Sequence, residues 1–553
     1  MTTLVFTRRF LGDYVRNPVN LLLLVVVPTV FVVVAGGRLA DSAKLLGGTG
    51  GPAVQTATAG WAAAFLAGIA MYFQTAATRD TDRRVVIAGL PAARLVLARL
   101  ITGGCLALLA AATALLALAL RTGIGDPVRA VGGTVMFAVV YVALGAVVGS
   151  VVPNPVNGTV VVLFVWIADV FFGPVMSAPD RIATRGLPGH YLTLWMVGEP
   201  SGHGGPLGDL GWAVTATVVA VGAAWALAAA RTRTVHRSRR ARPGSFLDQT
   251  AAATRAAWRD AGRNPALGVL LVVVPVVFIL AAYAVTPDVP VTFILAEQGR
   301  STFHTFAMPE VHGATMAPIA IASLAALVGL FTVLDSHDGD RRAALGGLRP
   351  TALLSARLGV LAFFALGATA VSLAATAVVF DAAGWPVYAA ANLLIALTYG
   401  LVGALLAPIF GRVGGVFVAF LLPFLDIGIV QSPLLNPEPT TLSTLLPGYG
   451  GFRVLLAGAL TRGFDQPVPL LIGLGWLTAL TLAVTLTYRR ATRPAGVPPV
   501  GSARTQDRPR EAPQRGSDVG AATNDVRRSH AGTVGASRRP APRTRPRPPR
   551  TSR

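Results

Sequence analysis

Asp13-Tyr-Val-Arg16-Asn17-Pro18-Val-Asn-Leu-Leu-Leu-Leu24-Val-Val-Val-Pro28-Thr-Val-Phe31 returns later in the chain as Asp260-Ala-Gly-Arg263-Asn264-Pro265-Ala-Leu-Gly-Val-Leu-Leu271-Val-Val-Val-Pro275-Val-Val-Phe278, at a constant separation of 247 residues. Shared hydrophobicity would repeat Leu and Val. It would not repeat a charged flank, an Asn-Pro start and an interior proline in register, so the chain carries a tandem duplication. Each stretch opens an apolar run of the length that crosses hydrocarbon, about 20 residues at about 1.5 Å each.

The likeness extends outward. Asp80-Thr-Asp82-Arg83-Arg84, Gly89-Leu90 and Ala98-Arg99-Leu100 return as Asp338-Gly-Asp340-Arg341-Arg342, Gly347-Leu348 and Ala356-Arg357-Leu358, now 258 residues apart. Tyr141 and Gly145-Ala146 return as Tyr399 and Gly403-Ala404, Leu187-Pro188-Gly189 as Leu446-Pro447-Gly448, and Gly211-Trp212 as Gly475-Trp476.

With 53% apolar against 13% charged residues and a mean hydropathy of +0.61, the 553-residue chain is a bilayer protein. Apolar runs predict six spans in the first half, at 19–35, 57–78, 96–120, 128–152, 156–172 and 210–229. Six more follow at 267–285, 314–334, 352–379, 385–407, 414–429 and 470–487. An even count per copy makes the two copies enter the membrane the same way, related by an axis along its normal. The predicted fold is therefore an all-α membrane protein of twelve transmembrane helices in two parallel six-helix repeats. Its divisions are a first unit at 1–230, a basic linker at 231–245, a second unit at 246–488 and a tail at 489–553.

Arginines near span ends collect on one side: Arg8, Arg9, Arg16, then Arg79 to Arg94, the linker, Arg341, Arg342, Arg349 and Arg412. The positive-inside rule makes that side, and both termini, cytoplasmic. The net charge of +22 does not imply nucleic acid, because the tail holds sixteen Arg against four acidic residues and no aromatic residue to stack on bases. Rich in Pro, Ser and Gly, the tail is expected to be disordered and drawn to anionic lipid. Ala, Arg and Gly usage with almost no Lys fits a GC-rich bacterial genome, hence a plasma-membrane location.

Before the first span, Phe6, Phe10, Leu11 and Tyr14 share one helical side and Arg8, Arg9, Asp13 and Arg16 favour the other, the pattern of a helix lying in the headgroup plane. The two Asp-x-Asp-Arg-Arg loops mix signs where orientation needs only arginine, which suits ion pairing with a soluble partner or pairing within the loop. Asp169 and Asp426 fall at nearly equivalent places in the fifth spans. A carboxyl there costs a few kcal/mol, so its repetition suggests use, either along a pathway or as a capped group at a helix end. The chain has one lysine, Lys44, and no G-x-x-x-x-G-K-[ST], so a conventional phosphate loop is missing from it. The single Cys105 excludes a thiolate metal site, and His190, His203, His304 and His312 read as solvated loop residues.

An amphipathic helix before the first span, a charged turn after the second followed by Gly89-Leu90-Pro91 or Gly347-Leu348-Arg349-Pro350, and Leu-Pro-Gly between the fifth and sixth spans together resemble the permease of an ABC-2 type ABC exporter, twice over. The resemblance covers 2–230 and 246–488. It implies that the turns are coupling helices seated on an ATPase, with Asp80, Asp82, Arg83, Arg84 and Asp338, Asp340, Arg341, Arg342 as the contacts. The family's usual glutamates and following Gly-Thr are replaced here. It further implies that ATP binds to a separate ATP-binding cassette subunit, two copies serving one chain, and that this chain holds no cofactor, no metal and no catalytic residue. Asp169 and Asp426 remain possible pathway residues that lean toward a cationic solute, whose identity the sequence leaves open. The alternative is a proton-driven transporter of the major facilitator type, whose loop glycines are missing here at the right spacing.

Overall fold

The computed structural model describes residues 2–16, 18–87, 90–176, 182–198, 202, 204–230, 254–255, 258, 265–297, 300–345, 348–436 and 439–491. The linker and residues 492–553 of the tail lie outside the described residues, as do Asn17, Asp260, Arg263 and Asn264. In the first half the helices are α1 (Thr2–Val15), α2 (Pro18–Leu45), α3 (Gly51–Ala76), α4 (Arg79–Ile87), α5 (Ala92–Arg121), α6 (Pro127–Val151), α7 (Pro155–Phe171), α8 (His190–Val197) and α9 (Gly205–Ala230). The second half holds α10 (Pro265–Val285), strands β1 (Pro290–Glu297) and β2 (Arg300–Ala307), then α11 (Met308–Leu345), α12 (Pro350–Val379), α13 (Trp385–Pro423), α14 (Thr441–Thr444), α15 (Gly448–Leu460) and α16 (Pro467–Ala491).

Ten helical stretches among the described residues are long and apolar enough to cross a bilayer. Two details bear on the count. Helix α7 is apolar but only 17 residues long, and α13 is broken at Gly411, whose φ of +63° a side chain would resist. Proline sets several starts, where its missing N–H costs nothing. Asp126 caps the helix opened by Pro127, accepting from the Arg129 N–H at 3.1 Å, and Asn154 caps the one opened by Pro155, accepting from Val156 at 2.9 Å.

The all-α expectation needs one amendment, the antiparallel hairpin β1–β2, which pairs Pro290 with Ala307 through Glu297 with Arg300. It lies between the first two apolar helices of the second half. Its place accounts for the jump in repeat separation from 247 to 258 residues: the second copy is longer there. Val291 and Phe306 pack on Val311, so the hairpin is seated on α11.

Within each copy the closest packing runs between two helices whose backbones nearly touch. A Cβ built on Gly145 of α6 would collide with the Gly68 carbonyl oxygen of α3, and one on Gly403 of α13 with the Ala326 carbonyl oxygen of α11. Small residues are what allow such approach in lipid, where no hydrophobic force pulls helices together. Gly403→Ala is accordingly expected to lower thermal stability in detergent by about 1 to 3 kcal/mol. Gly359→Ala, with open space where its Cβ would stand, should be neutral or stabilising by up to about 1 kcal/mol. Equal shifts for the two would refute the close-approach argument.

The copies meet reciprocally. Leu23 of α2 packs where Gly414 of α13 leaves room, and Phe171 and Phe172, at the end of α7, set their rings at 6.2 and 6.1 Å from that of Phe278 on α10. The first apolar helix of each copy thus rests on the fifth-span segment of the other.

Candidate functional site

Helix α4 carries the first charged loop. Its Asp82 carboxylate receives both arms of Arg99 from α5, Nε to Oδ2 at 2.6 Å and Nη2 to Oδ1 at 2.5 Å, and Thr78 Oγ1 donates to it at 3.1 Å. The Arg99 side chain is only 7% exposed. Its guanidinium stands 4.3 Å from the ring centre of Phe10, and Thr7 Oγ1 donates to the Ala98 carbonyl at 3.4 Å. Helix α1 is therefore tied to α5 through one arginine that serves a carboxylate with its edge and an aromatic ring with its face. Burial of Tyr14 on the same helix pushes its hydroxyl up to about 12, the Arg99 charge acting the other way.

The second copy repeats the clamp at the same separation of 258. Arg357 gives Nη2 to Asp340 Oδ1 at 2.9 Å and Nε to Oδ2 at 3.3 Å, and Tyr488 of α16 donates to Oδ2 at 2.6 Å. Asp340 is 3% exposed. The loop residues thus divide. Asp82 and Asp340 turn inward and are occupied within the chain, whereas Arg84, Arg341 and Arg342 are exposed. The side chains of Asp80, Arg83 and Asp338 lie outside the described residues.

Asp169 and Asp426 are both buried, and each organises the same constellation. Tyr141 of α6 donates to Asp169 Oδ2 at 2.6 Å, and the Gly189 N–H that opens α8 donates to both oxygens at 3.0 and 2.9 Å. Tyr399 of α13 donates to Asp426 Oδ2 at 2.5 Å, the Gly448 N–H that opens α15 donates to the same oxygen at 2.8 Å, and Gln431 Nε2 reaches Oδ1 at 3.0 Å. Gln431 also donates to the Ser443 carbonyl at 2.9 Å. A carboxylate at a helix N-terminus meets unsatisfied N–H groups and the positive end of the helix dipole. The glycine of each Leu-Pro-Gly has a reason: a Cβ at Gly189 or Gly448 would strike the aspartate it caps.

Between the copies lies an apolar cavity of about 100 Å³. Ser42, Leu46, Ile167, Phe171, Phe278, His312, Met316, Ile319, Ser323, Phe420 and Phe424 are among its walls, and none of the described wall residues is Asp, Glu, Lys or Arg. The one ionisable group among the described wall residues is engaged, His312 Nδ1 lying 2.6 Å from Thr286 Oγ1. Neither Asp169 nor Asp426 reaches it.

Several of these roles were hidden in the sequence. Arg99, Arg357, Tyr141 and Tyr399 stood out there as repeat markers and found partners only in three dimensions. His190 and His312 are not solvated loop residues: His190 is buried at the start of α8, and His312 sits in α11 beside the cavity. Among the described residues no group of histidine, cysteine and acidic side chains is placed to hold a metal ion.

No curated protein matches the chain. Residues 54–283, from α3 through all but the end of α10, match the sequence model of the ABC-2 family transporter protein. That stretch takes in most of the first copy and the start of the second, and over it the chain is similar to the ABC-2 family transporter protein.

Proposed function

We propose that the chain is the permease of an ABC exporter in a bacterial plasma membrane, twelve crossings in two parallel copies with both termini cytoplasmic. The observation that carries this reading is the family match over most of the first copy, joined to the recurrence of both its clamp and its capped aspartate in the second. Counting α7 as a crossing and dividing α13 at Gly411 would bring ten stretches to twelve.

ATP would be hydrolysed on separate ATP-binding subunits, two per chain, docked under α4 and the C-terminal end of α11. With Asp82 and Asp340 occupied internally, the exposed arginines Arg84, Arg341 and Arg342 are the loop groups left, among the described residues, to meet an acidic ATPase surface. Closure of the ATPases would draw the two loops together, and each clamp would pass that movement to the long helix behind it. The copies would then rock about the contacts of α2 with α13 and α7 with α10, opening the space between them.

The purified chain is expected to show no ATP hydrolysis by phosphate release and to co-purify with a nucleotide-binding subunit. Arg84→Glu combined with Arg341→Glu and Arg342→Glu should weaken that association by about tenfold or more while leaving the thermal midpoint unchanged. Undiminished association would remove the loops from the docking surface. Transport that persists without the ATPase and collapses on adding a protonophore would overturn the exporter reading itself.

A further inference from the structure

The duplication gives the copy interface two quasi-equivalent places for a hollow, and only one is open. Along α3 and α11, where the repeat separation is 258, Trp61 corresponds to Ile319 and Phe65 to Ser323. The register is supported by packing, because Gly68 and Ala326, also 258 apart, present their carbonyls to the equivalent glycines Gly145 and Gly403. On the α3 side the space is filled: the Phe65 ring lies 5.0 Å from Trp166, 5.1 Å from Phe417 and 5.5 Å from Phe420, and Trp166 donates to the Trp61 carbonyl at 2.8 Å. On the α11 side the smaller Ile319 and Ser323 leave the cavity. Ser323 is 7% exposed, and its Oγ has no hydrogen-bond partner among the described residues.

We infer that this cavity is a single, asymmetric binding site for an uncharged, ring-bearing solute with one hydrogen-bonding group, held by apolar walls and by the Ser323 hydroxyl. The inference rests on the permease reading only in treating the occupant as transported. An enclosed apolar protein cavity of about 150 Å³ stays dry and accepts one benzene ring, and this smaller, partly open space has walls of the same kind, which suit the face of a ring better than a water cluster. Among the described residues a cation has no partner there: the described walls hold no carboxylate, and the two intramembrane aspartates are enclosed by their own donors. An unpaired charge in such surroundings costs several kcal/mol. A hydroxyl-bearing ring would satisfy Ser323 and displace nothing better bound.

The test uses the full chain in lipid nanodiscs without any ATPase, and two photoreactive probes. One is 4-[3-(trifluoromethyl)diazirin-3-yl]benzyl alcohol, and the other its benzyltrimethylammonium counterpart. The neutral probe should label Met316 or Ser323, mapped by mass spectrometry, and excess benzyl alcohol should suppress that labelling, which separates a site from lipid-facing background. The cation should give no suppressible labelling there. Ile319→Trp with Ser323→Phe, which copies the filled side, should reduce suppressible labelling by about tenfold or more. The reciprocal Trp61→Ile with Phe65→Ser should create a second suppressible site on α3, a gain that misfolding cannot imitate. Equal labelling by the cation, or no new site in the reciprocal variant, overturns the inference. Because no ATPase is present, such a failure leaves the permease reading standing, and loss of ATPase association would leave the site standing.

Discussion

Arg357→Ala is expected to lower unfolding stability by about 3 to 5 kcal/mol, because it strands a carboxylate that the fold has withdrawn from water. Asp340 is 3% exposed, and without Arg357 only the Tyr488 hydroxyl, among the side chains of the described residues, would still donate to it. Arg99→Ala should cost a similar amount through two losses, the bidentate pair with Asp82 and the contact with the Phe10 ring. Removing both partners, as in Asp340→Ala with Arg357→Ala, should cost less than the two single changes added together, with a coupling of about 0.5 to 3 kcal/mol. Arg16→Ala is the control. The Asp13–Arg16 pair is 3.3 Å apart but lies in water with side chains 59% and 83% exposed, so its loss should change stability by less than about 1 kcal/mol. Denaturant unfolding in mild detergent, followed by tryptophan fluorescence, measures all five variants. If Arg357→Ala matched Arg16→Ala, the clamps would not be structural. Their loss would also uncouple the chain from any motor by loosening α4 and α11, so charge reversal at Asp82 or Asp340 cannot separate docking from folding. The exposed arginines can.

What the sequence made legible was whatever depends on local pattern. The apolar runs predicted where each helical stretch lies, because burial in hydrocarbon imposes a length and excludes charge whatever the tertiary fold, but α2 runs ten residues past 35 and α11 begins six before 314 and ends eleven after 334. The hairpin at 290–307 escaped notice, although Pro290-Val-Thr-Phe-Ile-Leu is β-branched and aromatic and the repeat separation lengthens in that region from 247 to 258. Partner choice was the harder matter. Asp82 and Arg99 are seventeen residues apart, and their meeting depends on how α4 folds back on α5, so the neighbouring Arg83 and Arg84 looked like the nearer partners. Asp169 reads from the sequence either as a pathway group or as a capped group at a helix end, because a lone carboxyl in a span has to be used for something. The use was spelled out in Tyr141 and Leu187-Pro188-Gly189, each recurring in the second copy, but nothing in one dimension says that three recurrences make one site. The cavity left no trace at all, since it is an absence of side-chain volume at Ile319 and Ser323 that shows only against Trp61 and Phe65.

Asp426→Ala is expected to cost about 3 to 5 kcal/mol, the price of leaving the Tyr399 hydroxyl, the Gly448 N–H and the Gln431 amide as buried donors around an empty acceptor site. Tyr399→Phe removes a donor and leaves the other two in place, so it should cost about 1 kcal/mol. Asp169→Ala should resemble Asp426→Ala but be milder, because the donors around Asp169 are Tyr141 and the one Gly189 N–H. The local consequence follows from what the carboxylates hold. Without Asp426 the first turn of α15 loses its anchor, and hydrogen exchange at the amides of Gly448 to Gly451 should accelerate well before the core of α13 opens. Transport supplies a second readout that separates anchoring from conduction. Both carboxylates lie outside the cavity, so Asp169→Asn with Asp426→Asn should reduce export of neutral and cationic solutes in equal proportion. A loss confined to cations would mean that these aspartates leave their tyrosines and glycines during the cycle and meet the solute, and anchoring would then be only their resting occupation.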